Sequence, residues 1–500
     1  LFKRRLPSSI VKAVFTMLFS SPIFLFLFLP IVLTVYLLLR HTKARNNWLL
    51  LMSLAFYAWG EIGFIFLLLA STVVNYALGL WVDRSTGIAS RKMAVTVAVI
   101  VNIGLLAFFK YADFAAGIFN SMLEFAGIAP LKAPHILLPI GISFFTFHAL
   151  SYVIDIYRRK WKAAADPKDV ALYIFFFPQM IAGPILRWSA IGPQLEEHNV
   201  SFDKFAEGIR RFSGGLAKKV LIANTVAVPA DQIFSLPANE LSSPVAWFGI
   251  ICYTLQIYFD FSGYSDMAIG MGKMFGFTFM ENFNFPYVSQ SIREFWRRWH
   301  ISLSTWFRDY LYIPLGGSRV SGPRTSLNLV VVFFLCGLWH GASLTFVIWG
   351  LYHGFFLALE RTRFSNLLGK FPQPLRHLYA VMVVMMGWVI FRADSITAAK
   401  GYFSALFGPP DVSVALAYVQ QYATVQAMTA IVFGVLFIGP AWNWFKYECA
   451  RSCQNSPAAW HPMIRTLGTA IEILLIIALL TISSAWLASG TYNPFLYFRF

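Results

Sequence analysis

Two of the nine histidines in this 500-residue chain sit where an imidazole could do chemistry. His340 lies inside the apolar run LNLVVVFFLCGLWHGASLTFVIWG, and His300 closes the basic, aromatic segment SIREFWRRWH. An ionisable side chain deep in an apolar helix is costly to leave unpaired, so it is a functional candidate by default. An imidazole titrates near neutrality, which suits a general base moving one proton during group transfer. If a helix starts at Leu327, His340 lies about 20 Å along it, near the middle of a bilayer. Trp339 before it and Gly341 after it leave room for a ligand against the backbone. The competing reading is a packing histidine hydrogen-bonded to a neighbouring helix. His353, about 220° further round the same helix axis, packs or reaches for the interface.

The groups around these histidines set what they could act on. Arg293 and Arg297 share a helix face, Arg298 adjoins them, and Trp296 and Trp299 are interleaved. Arginines among tryptophans fit a segment facing phosphate, whether of lipid headgroups or of a phosphate-bearing donor. Upstream, Asp260 and Asp266 stand in the apolar stretch YFDFSGYSDMAIGMGKM. Six positions is about 600° of helix, so the two carboxylates face different sides. They could take part in acid–base or donor-binding work; more commonly such carboxylates pair with a cation to hold a fold. Gly263, Gly270, Gly272 and Gly276 favour an irregular or tightly packed segment there.

The elements that must position these groups belong to a membrane. The chain is 58% hydrophobic and only 13% charged, whereas soluble domains carry about a quarter charged residues. Mean hydropathy is +0.62. The net charge of +17 is spread over short loops between apolar runs, as the positive-inside bias expects, and does not point to nucleic acid. Cys252, Cys336, Cys449 and Cys453 give no disulfide framework. No metal site is expected from Cys449 and Cys453, one turn apart without further ligands.

Candidate spans fall at 18–39, 47–59, 62–82, 93–110, 136–157, 170–182, 244–259, 327–349 continuing to 359, 376–391, 422–440 and 466–488. The expected architecture is an all-α polytopic membrane protein with about ten or eleven transmembrane helices plus re-entrant and interfacial ones. Basic loops 40–45, 83–92 and 158–162 are expected on the cytoplasmic side, with Met17 outside. Pro178 and Pro184 flank Ala182-Gly183 in YIFFFPQMIAGPI, so a straight helix cannot pass and a broken or re-entrant segment is expected. From about Phe202 to Val226 the pattern is amphipathic, with Arg210, Arg211, Lys218 and Lys219 on a polar face suited to an anionic leaflet. Residues 1–16 contain no Met and read as an upstream extension, leaving 17–500 as one transmembrane domain. The aromatic C-terminus SGTYNPFLYFRF is expected at an interface.

The blocks FPQMIAGPI, LQIYFDFSGYSDMAIGMGKMFGF, SIREFWRRWHISLSTWFRDYLYIPLGG and GLWHG together resemble the membrane-bound O-acyltransferase family, over Met17 to Phe500. Within it they resemble the bacterial branch of alginate O-acetylation and teichoic-acid D-alanyl transfer. The opening FSSPIFLFLFLP and closing NPFLYFRF look closer to the alginate type. The resemblance implies a ring of tilted helices around a thin centre with a central tunnel. It matches the family's buried catalytic histidine to His340 and its second, cytoplasmic-side position to His300. It implies that an acyl group passes from a cytoplasmic thioester, acetyl-CoA or an acyl carrier protein, to an extracytoplasmic acetyltransferase partner. That partner would O-acetylate an exopolysaccharide, alginate or a similar polymer, from the bacterial inner membrane. D-alanyl or other acyl transfer to a cell-envelope polymer is the alternative within the family. Arg293, Arg297 and Arg298 would attract the donor's phosphates. No tightly bound cofactor is expected. Outside the family, a transporter or a scaffold of a polysaccharide-modifying complex would share the composition.

Overall fold

The computed structural model describes residues 17–132, 135–237, 239–410, 412–441, 444, 447–448, 451, 460–490 and 492–494. Cys449 and Cys453 lie outside them, as do residues 1–16 and most of the final aromatic stretch. Among the described residues every regular element is helical. Six stretches are long and apolar enough to cross a membrane: Thr42–Arg84, Ile88–Phe125, Ser243–Met274, Gly322–His340, Gln373–Arg392 and His461–Ala488. Four shorter apolar helices join them: Phe24–Leu38, Ile142–Tyr157, Leu344–Leu359 and Val425–Phe437. The chain is therefore an all-α polytopic membrane protein. Its spanning segments are helical because hydrocarbon offers no hydrogen-bond partners, and a helix satisfies its backbone N–H and C=O groups within itself.

Two compact units divide the described residues, one made of 17–209 and 268–280, the other of 210–267 and 281–494. In the first, helices Ile65–Arg84 and Ile88–Phe125 are tied by reciprocal amide bonds between Asn75 and Asn102, at 3.1 and 2.7 Å. The second of these helices runs through Phe125, so 111–125, expected as part of a turn, is helical. Its 38 residues extend about 57 Å, beyond the roughly 30 Å hydrocarbon core. Ahead of Pro178 the chain breaks as expected. The helix Pro167–Phe175 stops, Phe176 leaves helical geometry, and a single turn, Phe177–Met180, follows. Everything from Phe175 to Leu186 is buried. Its freed backbone groups are met inside protein: Ser53 Oγ accepts the Phe177 N–H at 3.1 Å, and Gln179 donates to the Tyr173 carbonyl at 2.6 Å.

In the second unit, the run from 327 to 359 is not one helix. Gly322–His340 ends at His340, Gly341 is extended (φ −168°), and a new helix runs Leu344–Leu359. The two pack tightly as a hairpin because glycines face each other. A Cβ on Gly337 would meet the Phe346 carbonyl at 2.3 Å, and one on Gly350 the Phe333 carbonyl at 2.3 Å. His340 is thus placed at a helix end and a turn, not midway along a continuous span.

The amphipathic stretch also differs from its sequence pattern. Helix Phe202–Ala217 passes through a π-helical turn, Lys218–Ala223, into Asn224–Phe234. Arg211 and Lys218 both bind Asp266, each at 2.7 Å, and Lys219 lies 2.6 Å from Asp260. Only Arg210 of the four cations is exposed, and it faces Glu472 at 3.3 Å. The polar face expected to meet a leaflet is mostly spent on the Ser243–Met274 helix. Gly215 and Gly263 bring the backbones together, since a Cβ on either would come within 2.7 Å of the other's carbonyl. Gly263, Gly270 and Gly272 therefore lie in a regular, tightly packed helix, and Gly276 turns the chain just past its end with φ +84°.

Candidate functional site

His300 owes its place to a local backbone feature. Helix Ile292–Arg298 ends, Trp299 is extended, and His300 adopts φ +44° before helix Ile301–Phe307 begins. A non-glycine residue in the left-handed region is strained, and such residues cluster at functional sites. The strain is held by Asn282. Its side-chain oxygen sits 3.1 Å from His300 Nδ1 and accepts from the Ser302 hydroxyl at 2.9 Å and the Ser302 N–H at 3.2 Å. Its amide donates to Ser265 Oγ at 3.0 Å, and its carbonyl accepts the Ile301 N–H at 2.9 Å. With the amide nitrogen turned to Ser265, the oxygen faces His300. Nδ1 is then the donor and Nε2 carries the lone pair. Burial pushes the imidazole down to about 3, so at neutral pH His300 is uncharged.

His340 is reached from His300 through one indole. The His300 and Trp339 ring centroids are 6.1 Å apart, and those of Trp339 and His340 4.7 Å. His340 is 8% exposed and is walled by Trp349 at 5.0 Å and Phe391 at 5.3 Å. The structure thus brings together His300, His340 and Trp339. Trp296 and Trp299 join the same aromatic body and do not face headgroups. Trp296 packs on Trp349, Phe333 and His353, and Trp299 on Trp388, Phe283 and Phe295. His353 is fully buried and takes the Trp296 indole N–H at 3.4 Å.

The three arginines have separate roles. Arg293 donates to the Glu360 carbonyl at 3.0 Å, while the Glu360 carboxylate caps the N–H groups of Ile292 and Arg293 at 2.6 and 2.9 Å. Arg298 is paired with Glu294 at 2.9 Å. Arg297 is exposed and its guanidinium bonds to nothing among the described residues, so all of it is left for an external anion; Arg293, also exposed, is held only by a backbone carbonyl. Asp260 and Asp266 are paired with lysines and an arginine, the fold-holding alternative of the two. Among the described residues no three His, Cys, Asp or Glu side chains gather as a metal ion would need.

Asn282, Glu360 and Trp349 carry no sequence signal as strong as that of the histidines. The repeated Asn-Phe of NFNFP, polar amides in an aromatic run, is the one hint for Asn282.

Fold and site define a helical membrane protein with two buried histidines on either side of an indole. Residues 132–399 match the membrane-bound O-acyltransferase family. The chain belongs to that family and is a membrane-bound O-acyltransferase, which sets aside the transporter and scaffold alternatives. It is 42% identical to the probable alginate O-acetylase of Azotobacter vinelandii, over 97% of this chain and 100% of that one. The Pseudomonas aeruginosa protein of the same description is 41% identical over the same shares. A peptidoglycan O-acetyltransferase of Helicobacter pylori is 38% identical over 81% of this chain and 82% of its own. Family membership implies an acyl donor as co-substrate.

Proposed function

We propose that this chain carries an acetyl group from a cytoplasmic thioester to the O-acetylation of an exopolysaccharide, alginate or a close analogue, in the bacterial inner membrane. The observation that carries the reading is the His300–Trp339–His340 cluster, buried at a helix break. A relative described as an alginate O-acetylase covers nearly all of this chain, which supports the polymer. Arg297, with Arg293 and Arg298 close by, draws the donor's phosphates from the cytoplasmic side. A hydroxyl from the acceptor, a partner protein or the polymer itself, approaches from the other side through a central tunnel. His340 takes the hydroxyl proton as the oxygen attacks the thioester carbonyl carbon; the C–S bond then breaks, and the thiolate leaves with that proton. Neutral His300, fixed by Asn282, positions the donor. The aromatic wall keeps water from the thioester and so suppresses hydrolysis.

Purified protein supplied with alginate and an envelope extract of cells lacking the native protein as acceptors, and offered radiolabelled acetyl-CoA and acetylated acyl carrier protein in parallel, should release free thiol from one of them. Wild-type protein releasing thiol from neither contradicts the reading. A D-alanyl thioester consumed in preference to both acetyl donors favours transfer to a teichoic-acid-like polymer instead.

A further inference from the structure

We propose that the indole N–H of Trp349 is the donor that receives the acyl carbonyl oxygen while the thioester is attacked. The inference rests on the thioester reading of the His340 site and adds a catalytic group to it.

Trp349 is 1% exposed, and its Nε1 has no hydrogen-bond partner among the described residues. Its ring lies 5.0 Å from His340, nearly perpendicular at 85°. The surrounding wall consists of Trp296 at 5.8 Å, His353 at 5.1 Å, Phe391 at 5.0 Å and Trp388 at 6.3 Å. None of these rings presents an oxygen to the indole. A phenylalanine would fill much of this space without burying a polar atom, so an unmet N–H calls for an explanation. A carbonyl oxygen arriving with the substrate supplies the missing acceptor.

His353 supports the arrangement from one turn along the same helix. Its Nδ1 takes the Trp296 N–H at 3.4 Å, which leaves the ring proton on Nε2. That nitrogen is also buried without a partner, and a Cβ on Gly387 would come within 2.8 Å of it. The His353 ring packs edge-on against the Trp349 indole, with centroids 5.1 Å apart.

The step balances. The acceptor oxygen bonds to the carbonyl carbon, His340 takes the hydroxyl proton, and the carbonyl π pair moves onto oxygen. The resulting oxyanion accepts the Trp349 N–H. The C=O bond re-forms as the C–S bond breaks, and the departing sulfur takes the proton back from His340. A donor held rigidly before the reaction needs no reorganisation, which is why such groups have large effects.

The test replaces Trp349 with Phe and, separately, with 3-benzothienylalanine, which keeps the indole's shape and exchanges N–H for sulfur. Thiol release from acetyl-CoA or acetylated carrier protein, whichever the wild type uses, is measured on purified full-length protein with the same acceptors present. The expected result is a loss of roughly 10²- to 10³-fold in kcat, with KM and thermal midpoint close to wild type. Benzothienylalanine protein with wild-type kcat overturns the proposal and leaves the N–H to a resident water. A wild type that uses neither thioester overturns the underlying reading, so the two failures are distinct.

Discussion

Two buried polar clusters in the second compact unit differ in how their polarity is met. Around the π-helical turn, Lys219 lies between Asp260, the Asn224 side chain and the Pro494 carbonyl, while Arg211 and Lys218 both bind Asp266. Every charge there has an opposite charge from the protein. Around His340 the walls are rings, and a neutral network, Asn282 with His300, Ser302 and Ser265, lies two ring contacts away. Charges matched by charges hold helices together; a neutral imidazole among aromatic rings at a helix break is where the proposed chemistry lies. By this comparison, removing a group from the first cluster costs stability, and removing one from the second costs rate.

The largest effect is expected at His340. His340→Ala should lower acetylation of polymer by roughly 10²- to 10⁴-fold in cells lacking the native protein, at an unchanged yield of extracted membrane protein. A yield that collapsed instead would move His340 into the structural cluster.

The next tests the charged cluster. Asp260→Ala leaves a buried, uncompensated ammonium and should cost about 3–5 kcal/mol, read as a lowered thermal midpoint in detergent. Replacing both partners, Lys219→Met with Asp260→Leu, should recover most of that stability, because the desolvation cost of the pair disappears with it. A double variant no more stable than the single one would show that the charges do more than hold the helices.

Asn282 sits at the boundary of the comparison. Asn282→Ala removes the oxygen shared by His300 and Ser302, each lost hydrogen bond being worth about 0.5–1.5 kcal/mol. It should lower kcat several-fold through a misplaced His300, with a modest fall in midpoint. Full activity with a large loss of stability would make the network purely structural. The smallest effect is expected at Arg297. Arg297→Ala should raise the donor's KM a few-fold at constant kcat, since a phosphate contact remote from the thioester binds ground and transition states alike. A fall in kcat at unchanged KM would place the guanidinium at the reacting centre.

How much of this was legible in the sequence depends on how local each cause is. His340 was visible as a candidate because an imidazole in an apolar run is itself the anomaly, and His300 because it closes a run of arginines and tryptophans. The broken segment before Pro178 was visible because proline acts on its own turn. The hairpin at Gly341 was not: no charge or proline interrupts 327–359. The break is enforced by a close approach in which a Cβ on Gly341 would meet the Phe346 ring at 2.1 Å. Lys219 read as part of a polar face because helical periodicity reports only a residue's own side of its helix. Its partner Asp260 comes from a helix that begins at Ser243, and only the tertiary packing reveals the pair. The tryptophans misled for a related reason, since aromatic residues beside arginines look the same in sequence whether they face a bilayer or one another.

The most direct test of the division between the two clusters is thiol release from an acetyl thioester per folded molecule, with alginate and an envelope extract lacking the native protein as acceptors. Wild type, His340→Ala and the Lys219→Met/Asp260→Leu double variant would be purified and measured side by side. The account predicts that His340→Ala is folded and essentially inactive, while the double variant, once folded, works at close to the wild-type rate. A double variant that folds but releases no thiol, or a His340→Ala protein that still releases it, would contradict the account.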